Sequence, residues 1–342
     1  MASVITLSLA VPSSRAAEGF YIPQEPPGAQ YYIDCRMDPD HQGLRISETI
    51  FLKNTTERPI SHLAFNRSLI GGYHLRLRIN GTPMALSELA PEDQGPPLIV
   101  KLPDPLLPGA EAEIFVNSME KSDIDSALTE ENPLRESNWH PKLWWGERYH
   151  GHDDYNVRLY FPPEFVAATS GRYDPSSSSY IATGVRSFGL VIGRDLGVLT
   201  DMAGDVSVRA LYTDSGKACA ESLVATAVDI IGFYRERFGF YPHATLTIIP
   251  GLDNPVGGSP VATGIVEIHG QERMVEQPEA YWQWITAHEI GHQYWWEHVL
   301  EKDPQDMGWL MIGLGLYADR EYMRDCDLSH RWHRDIMNDY LK

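Results

Sequence analysis

Apolar and polar residues alternate along 46–52, where Ile46, Glu48, Ile50 and Leu52 fall on one side, and again along 75–79. That period of two is the mark of a strand. The second run ends on Asn80-Gly81, a pair suited to a tight turn. Apolar runs at 98–100 and 114–116 flank Pro103, Pro105, Pro108 and Gly109, and further runs lie at 157–162 and 188–192. The apolar run at 4–11 is followed by Ala16 and Ala17 but has no basic start, so it reads as a first strand rather than a signal peptide. Residues 120–137 mix charges without a period and read as a surface loop or short helix. Many short strands with regular breaks predict an all-β saddle or sandwich over residues 1–205.

Near residue 205 the period changes. Leu223, Ala227, Ile230, Ile231 and Tyr234 recur at helical spacing within 217–238, and Gly239 follows as a stop. A strand at 245–249, a Gly/Pro-rich loop at 250–260 and a strand at 264–268 come next, then a helix over 281–298, a polar loop and a helix over 308–324. Residues 206–342 therefore read as an α+β domain, its helices laid over the face of its strands.

The 342 residues suffice for two domains with sizeable cores. A formal net charge of −19 argues against nucleic acid or an anionic membrane surface as partner. No apolar run is long enough for a transmembrane segment. The cysteines, Cys35, Cys219 and Cys326, lie far apart and suggest neither a disulfide framework nor a thiolate metal site. The compartment stays open between cytoplasmic, periplasmic and secreted. Asn-x-Ser/Thr triplets at Asn54, Asn66 and Asn80 read as coincidence, and Trp139, Trp144 and Trp145 around His140 as core or domain seam.

The chemistry concentrates in 286–296, which carries H-E-x-x-H. On a helix His288 and His292 lie about 40° apart and one turn along, so both imidazoles can grip a single Zn²⁺. Glu289, one step round the same turn, can take a proton from metal-activated water. The plain alternative is two structural histidines and a surface Glu on an amphipathic helix. Trp282, Trp284, Trp295 and Trp296 crowd this helix and read as burying its back face, with one of them open to lining the cleft. His330 and His333, three apart, read as a solvated charged face rather than a second metal site.

The order of helix, Phe238-Gly239-Phe240-Tyr241-Pro242, strand, glycine-rich loop, strand and H-E-x-x-H resembles the alanyl-aminopeptidase and leukotriene-hydrolase family of zinc peptidases. These are gluzincins with an N-terminal β saddle and a thermolysin-like catalytic domain. Asn156-Val157-Arg158-Leu159-Tyr160-Phe161-Pro162 with Thr169-Ser170-Gly171 resembles a late strand of that family's N-terminal domain. Trp309-Leu310-Met311-Ile312-Gly313, followed by Tyr317, Asp319 and Arg320, resembles its Trp-Leu-Asn-Glu-Gly helix. The resemblance implies a third zinc ligand, a Glu, where this chain has Ile312, or Met311 by strict counting. The third ligand is therefore unassigned. Asp319 suits a partner hydrogen-bonded behind a ligand histidine. Glu321 falls on the wrong side of its helix, and so does Glu297 if the motif helix continues, while Asp303 and Asp306 lie in a loop and escape this argument.

The resemblance also places substrate binding at Gly257, Gly258 and Ser259, with Pro260 where the family has the Glu that captures a peptide's free amine. An edge strand at 263–268 would pair with an extended peptide. Glu267 is not assigned the amine-capturing job. Tyr317 and Tyr322 read as packing residues. The family's oxyanion-stabilising Tyr and cleft-closing helical domain have no counterpart before Lys342, as in a fragment or a short relative. The expectation is a zinc-dependent, aminopeptidase-like metallopeptidase acting on peptides or proteins, with weakly held Zn²⁺. The alternative is an impaired or inactive relative that binds peptides or a partner protein.

Overall fold

The structure, a computed structural model, describes residues 21, 23, 25–38, 43–66, 73–84, 98–121, 134–136, 139–146, 152–213, 216–251, 257–269, 279–301 and 306–328. The expected strand at 4–11, most of 120–137, Asp303, His330 and His333 lie outside them.

Thirteen strands come first among the described residues. They are β1 (Ala29–Asp38), β2 (Gly43–Lys53), β3 (Ile60–Phe65), β4 (Tyr73–Ile79), β5 (Thr82–Pro83), β6 (Leu98–Leu106) and β7 (Glu111–Lys121). There follow β8 (Leu134–Glu136), β9 (Asp153–Tyr160), β10 (Phe165–Thr169), β11 (Arg172–Asp174), β12 (Ser179–Val185) and β13 (Leu190–Arg194). Eight of them form one sheet in the order β11-β12-β9-β1-β2-β7-β4-β5; β10-β13-β8 form a second and β3-β6 a third. The alternation seen in the sequence is the reason these sheets stack: Leu44, Ile46, Ile50 and Leu52 of β2 are buried while Arg45 and Phe51 face out. The inward row is broken by Glu48, whose Oε2 lies 2.8 Å from His140 Nδ1. Burial pushes the Glu48 carboxyl above its ordinary range, and His140 offsets part of that rise. Trp139 and Trp145 belong to this core, and Trp139 Nε1–H donates to Phe188 O at 2.7 Å.

A five-stranded sheet follows in the order β14-β15-β16-β18-β17, built from β14 (Gly197–Ala203), β15 (Val206–Tyr212), β16 (Thr245–Gly251), β17 (Gly258–Ala262) and β18 (Ile265–His269). Strand β14 lies before residue 205 yet pairs residue for residue with β15. Helix α1 (Lys217–Phe238) leads from β15 to β16, which run parallel. It ends where Gly239 takes a left-handed φ of 91° and its N–H bonds Arg235 O. Then come α2 (Glu279–His292), a π turn (Gly308–Gly313) and α3 (Leu314–Asp325). One apolar cluster joins α1, α2 and α3 to one face of this sheet. A smaller one, Ala168, Val191, Leu211, Ile249, Ala262 and Ile265, seals the sheet to β10 and β13. No helix among the described residues is long and apolar enough to cross a membrane.

Three elements depart from the sequence expectation. The motif helix stops at His292 instead of continuing to 298. Past it the chain makes irregular wide turns, with Glu297 N–H bonding His292 O and Val299 N–H bonding Tyr294 O. The helix expected over 308–324 begins as a π turn, in which the Leu314 N–H reaches Trp309 O. The edge strand is β17, not the 263–268 segment. Strand β18 is interior, hydrogen-bonded to β16 on one side and to β17 on the other.

Candidate metal centre

Helix α2 is fixed by its apolar face, with Trp284, Ile285, Ala287 and Ile290 buried. The buried Tyr234 of α1 adds a hydrogen bond from its hydroxyl to Ala287 O at 2.9 Å. On the other side α3 comes unusually close, because the contact is made by small residues. A Cβ added at Gly291 would lie 3.3 Å from Ala318 Cβ and 3.7 Å from Gly315 Cα. One added at Gly315 would lie 2.9 Å from His292 Cε1 and 3.2 Å from His288 Cε1. A side chain at Gly315 would thus crowd both imidazoles.

The two rings meet edge to face, centroids 4.5 Å apart, with His288 Nε2 and His292 Nε2 separated by 3.0 Å. Glu289 joins them. One donor atom from each of His288, Glu289 and His292 lies within 4.8 Å of the others, and all three residues are buried. Among the described residues this is the one such cluster of His, Cys, Asp or Glu. Behind it, Asp319 Oδ2 lies 2.9 Å from His288 Nδ1 and accepts the Trp284 Nε1–H, also at 2.9 Å. With Nδ1–H of His288 donated to Asp319, its Nε2 lone pair is left facing His292.

Electrostatics separate the three groups. Burial alone would lower His288, but the hydrogen bond to Asp319 and the charges of Glu289 and Asp319 more than reverse this and hold it above its ordinary value. Burial and the neighbouring His288 push His292 down to about 3. Burial raises Glu289 to about 8, opposed by His288 and assisted by the charges of Glu267 and Asp319. Glu289 Oε2 and His292 Nδ1 are buried without a hydrogen-bond partner. The Met311 backbone is near enough to His292 to favour its protonated form slightly, yet it is out of hydrogen-bond geometry with Nδ1. Two imidazole nitrogens facing each other beside an unsatisfied carboxylate oxygen form a donor set that fits Zn²⁺, which would bind as His288 gives up its proton.

The candidate third ligands are elsewhere. Ile312 is 44 % exposed on the π turn. Glu297 is spoken for, its Oε2 accepting Thr263 Oγ1–H at 2.6 Å. Asp306 accepts the Trp309 Nε1–H at 3.2 Å. Glu321 is buried rather than facing out, because Arg237 of α1 reaches it at 2.7 Å and Arg324 at 2.6 Å. Tyr317 is exposed rather than packed, while the buried Tyr322 donates to Asp229 Oδ2 at 2.8 Å.

Beside the cluster, Gly257 leads into β17 and Gly258 lies against Glu289, where a Cβ would fall 2.6 Å from Oε1. Strand alternation turns Ser259 to the opposite face, level with Glu267. Pro260 sits on this edge strand, the one place in a sheet where a missing N–H does little harm.

Sequence reasoning missed Gly315 and Gln293, and it missed the hydrogen bond by which Trp284 serves the centre. Trp284 is one turn before His288, a spacing that put it on the same face. Gly315 stands three residues before an alanine-aspartate pair and carries no signal of its own. Gln293 is buried, its Oε1 accepting the Gly264 N–H at 2.7 Å and so tying the end of α2 to the turn between β17 and β18.

By sequence, no protein-family model and no curated protein matches this chain. By structure, it is similar to an M1 zinc metallopeptidase from Deinococcus radiodurans, with a TM-score of 0.61 at 18% identity, covering 88% of this chain and 72% of that one. A glutamate-to-alanine mutant of the enzyme matches with a TM-score of 0.64 at 16% identity and the same coverage. The likeness is one of fold: a mostly β N-terminal region followed by a few helices, as in the M1 zinc metallopeptidases.

Proposed function

We propose that this chain is a zinc-dependent, aminopeptidase-like metallopeptidase, with residues 206–342 as its catalytic unit and 1–205 as its β domain. The observation that carries the reading is the 3.0 Å approach of His288 Nε2 and His292 Nε2 beside the buried Glu289. His288 and His292 would hold the metal. When bound, zinc supplies a Lewis acid and lowers the pKa of coordinated water toward neutrality. Asp319 fixes the tautomer and angle of the His288 ring, and Trp284 fixes Asp319. Glu289, whose carboxylate form a bound dication would favour, would take a proton from the attacking water and return it to the leaving amine. Gly258 keeps the edge of the sheet open beside that carboxylate. An extended peptide laid along β17 would place its backbone there.

Hydrolysis of aminoacyl reporters tests the reading, together with stoichiometric metal content. Wild type is expected to turn over with Zn²⁺ present, and Glu289→Gln to lose a factor of about 10² or more. Equal rates in both end the enzyme reading and leave a peptide-binding relative.

A further inference from the structure

Strand β17 is poorly equipped to hold its own place. It has five residues, Pro260 brings no N–H, and its register against β18 slips between Pro260 and Ala262. The chain of the motif helix supports it at both ends. At one end Gly258 lies against the Glu289 side chain, where a Cβ would fall 2.4 Å from Cγ. At the other, the buried Gln293 grips the hairpin turn twice. Its Oε1 accepts the Gly264 N–H at 2.7 Å, and its Nε2–H donates to Ala262 O at 3.4 Å. Gln293 follows Glu289 by four residues, so both side chains leave the same side of the chain, one turn apart.

Gln293 is itself anchored. Its N–H bonds Ile290 O at 3.1 Å, and its carbonyl accepts the His243 Nε2–H at 3.2 Å. The turn it holds has little freedom to find another partner. Gly264 has a φ of 71°, its O accepts the Thr247 N–H at 2.8 Å, and a Cβ on it would meet Thr245 O at 3.0 Å. One amide side chain, next in sequence to His292, therefore joins the edge strand to the helix of the metal centre.

We propose that Gln293 is a positioning residue for substrate: it bolts the edge strand β17 to the helix that carries His288, Glu289 and His292, so that a peptide paired with that edge meets the centre in one register. The inference rests on the peptidase reading above and adds a substrate class to it, peptides long enough to lie along β17 rather than single aminoacyl groups.

The full chain loaded with Zn²⁺ is compared with Gln293→Met, which keeps the length and loses both bonds, and Gln293→Glu, which keeps the acceptor for Gly264. Each is first checked by circular dichroism for a cooperative melt. The kinetic constants kcat and KM are measured on a pentapeptide and on an aminoacyl reporter too short to reach along the strand. Fluorescence anisotropy gives the affinity of each metal-free chain for a labelled pentapeptide, without turnover. In Gln293→Met the pentapeptide KM should rise, and its affinity fall, about tenfold or more, with kcat changing less than KM. The loss in kcat/KM should be greater on the pentapeptide than on the reporter by about fivefold or more. Gln293→Glu should show a smaller loss in the same order, and it carries the comparison alone if Gln293→Met does not melt cooperatively. Equal losses on pentapeptide and reporter, or a pentapeptide affinity within about threefold of wild type, overturn the proposal and leave Gln293 a packing residue. If wild type binds no pentapeptide and hydrolyses neither substrate, the peptidase reading itself fails and takes the proposal with it.

Discussion

At the scale of single residues, Glu289 is held in a place that folding alone does not favour. Its carboxyl is buried, one oxygen has no partner, and its pKa is raised to about 8. In the metal-free chain between pH 4.5 and 8, the unfolded state has released this proton while the folded state keeps it. Stability from this group is therefore fully present below about pH 4.5 and is lost as pH rises through about 8. Glu289→Gln removes that dependence. The variant, stripped of metal, is expected to melt at a higher temperature than wild type, with a gap that widens from pH 5 to pH 8 and reaches about 2–4 kcal/mol. Excess Zn²⁺ should stabilise both and narrow the gap, because the ion's charge favours the Glu289 carboxylate form in wild type. Thermal melts across that pH range, with and without metal, check it; a gap that does not vary with pH would show that Glu289 is not uncompensated.

At the scale of elements, the centre depends on how closely α3 approaches α2, and three small residues set that distance. Gly315→Ala would put a methyl 2.9 Å from His292 Cε1, so α3 must withdraw or the rings must turn. The expected result is a loss of about 1–3 kcal/mol in denaturant unfolding together with weakened metal binding. Gly313→Ala is the control, since its nearest neighbour would be Trp309 Cβ at 3.9 Å, and it should leave metal binding as in wild type. Helix α1 was legible because Leu223, Ala227, Ile230, Ile231 and Tyr234 all serve one buried face and Gly239 ends it. The chemistry of 288–292 was legible because i and i+4 share a face whatever lies around them. The early end of α2 and the π turn were not legible. Wide i→i+5 bonds leave no periodic trace in side-chain type, and the segment after His292 is rich in apolar residues that would suit a longer helix. Glu321 was misjudged for a related reason: helical phase puts it on a side that would be wet, except that Arg237 of another helix covers it.

At the scale of the whole molecule, the β region does more than lie beside the helices, because Arg186, between β12 and β13, reaches across to the chain just beyond the motif. Its Nη1–H donates to Trp296 O at 2.6 Å while its guanidinium lies 3.6 Å from the centre of the Trp296 ring. Trp296 has a φ of 152°, unusual for a residue with a side chain, and such a conformation persists only where its surroundings over-determine it. Glu301 Oε2 is 3.7 Å from the same guanidinium, and the charge of Arg186 also opposes the rise that burial imposes on the pKa of Glu297. Glu297 accepts from Thr263, and the Ser187 hydroxyl accepts the Thr263 N–H at 3.2 Å, so the turn of the β17–β18 hairpin belongs to the same network. No local pattern in the sequence announced it, since the groups that the Arg186 guanidinium meets lie 110 or more residues away. Arg186→Met keeps much of the apolar volume but leaves buried acids without their cation, and removing one partner of a buried pair typically costs about 3–5 kcal/mol. Loss on that scale is expected in denaturant unfolding, and Arg186→Lys should restore only part of it, because an ammonium cannot stack on the indole and bond the carbonyl as a planar fork does. Adding Glu297→Gln to Arg186→Met should recover some of the loss by removing one uncompensated charge. A double variant as unstable as the sum of the two singles would show that Arg186 and Glu297 are not coupled, and that the β region holds the end of α2 by apolar contact alone.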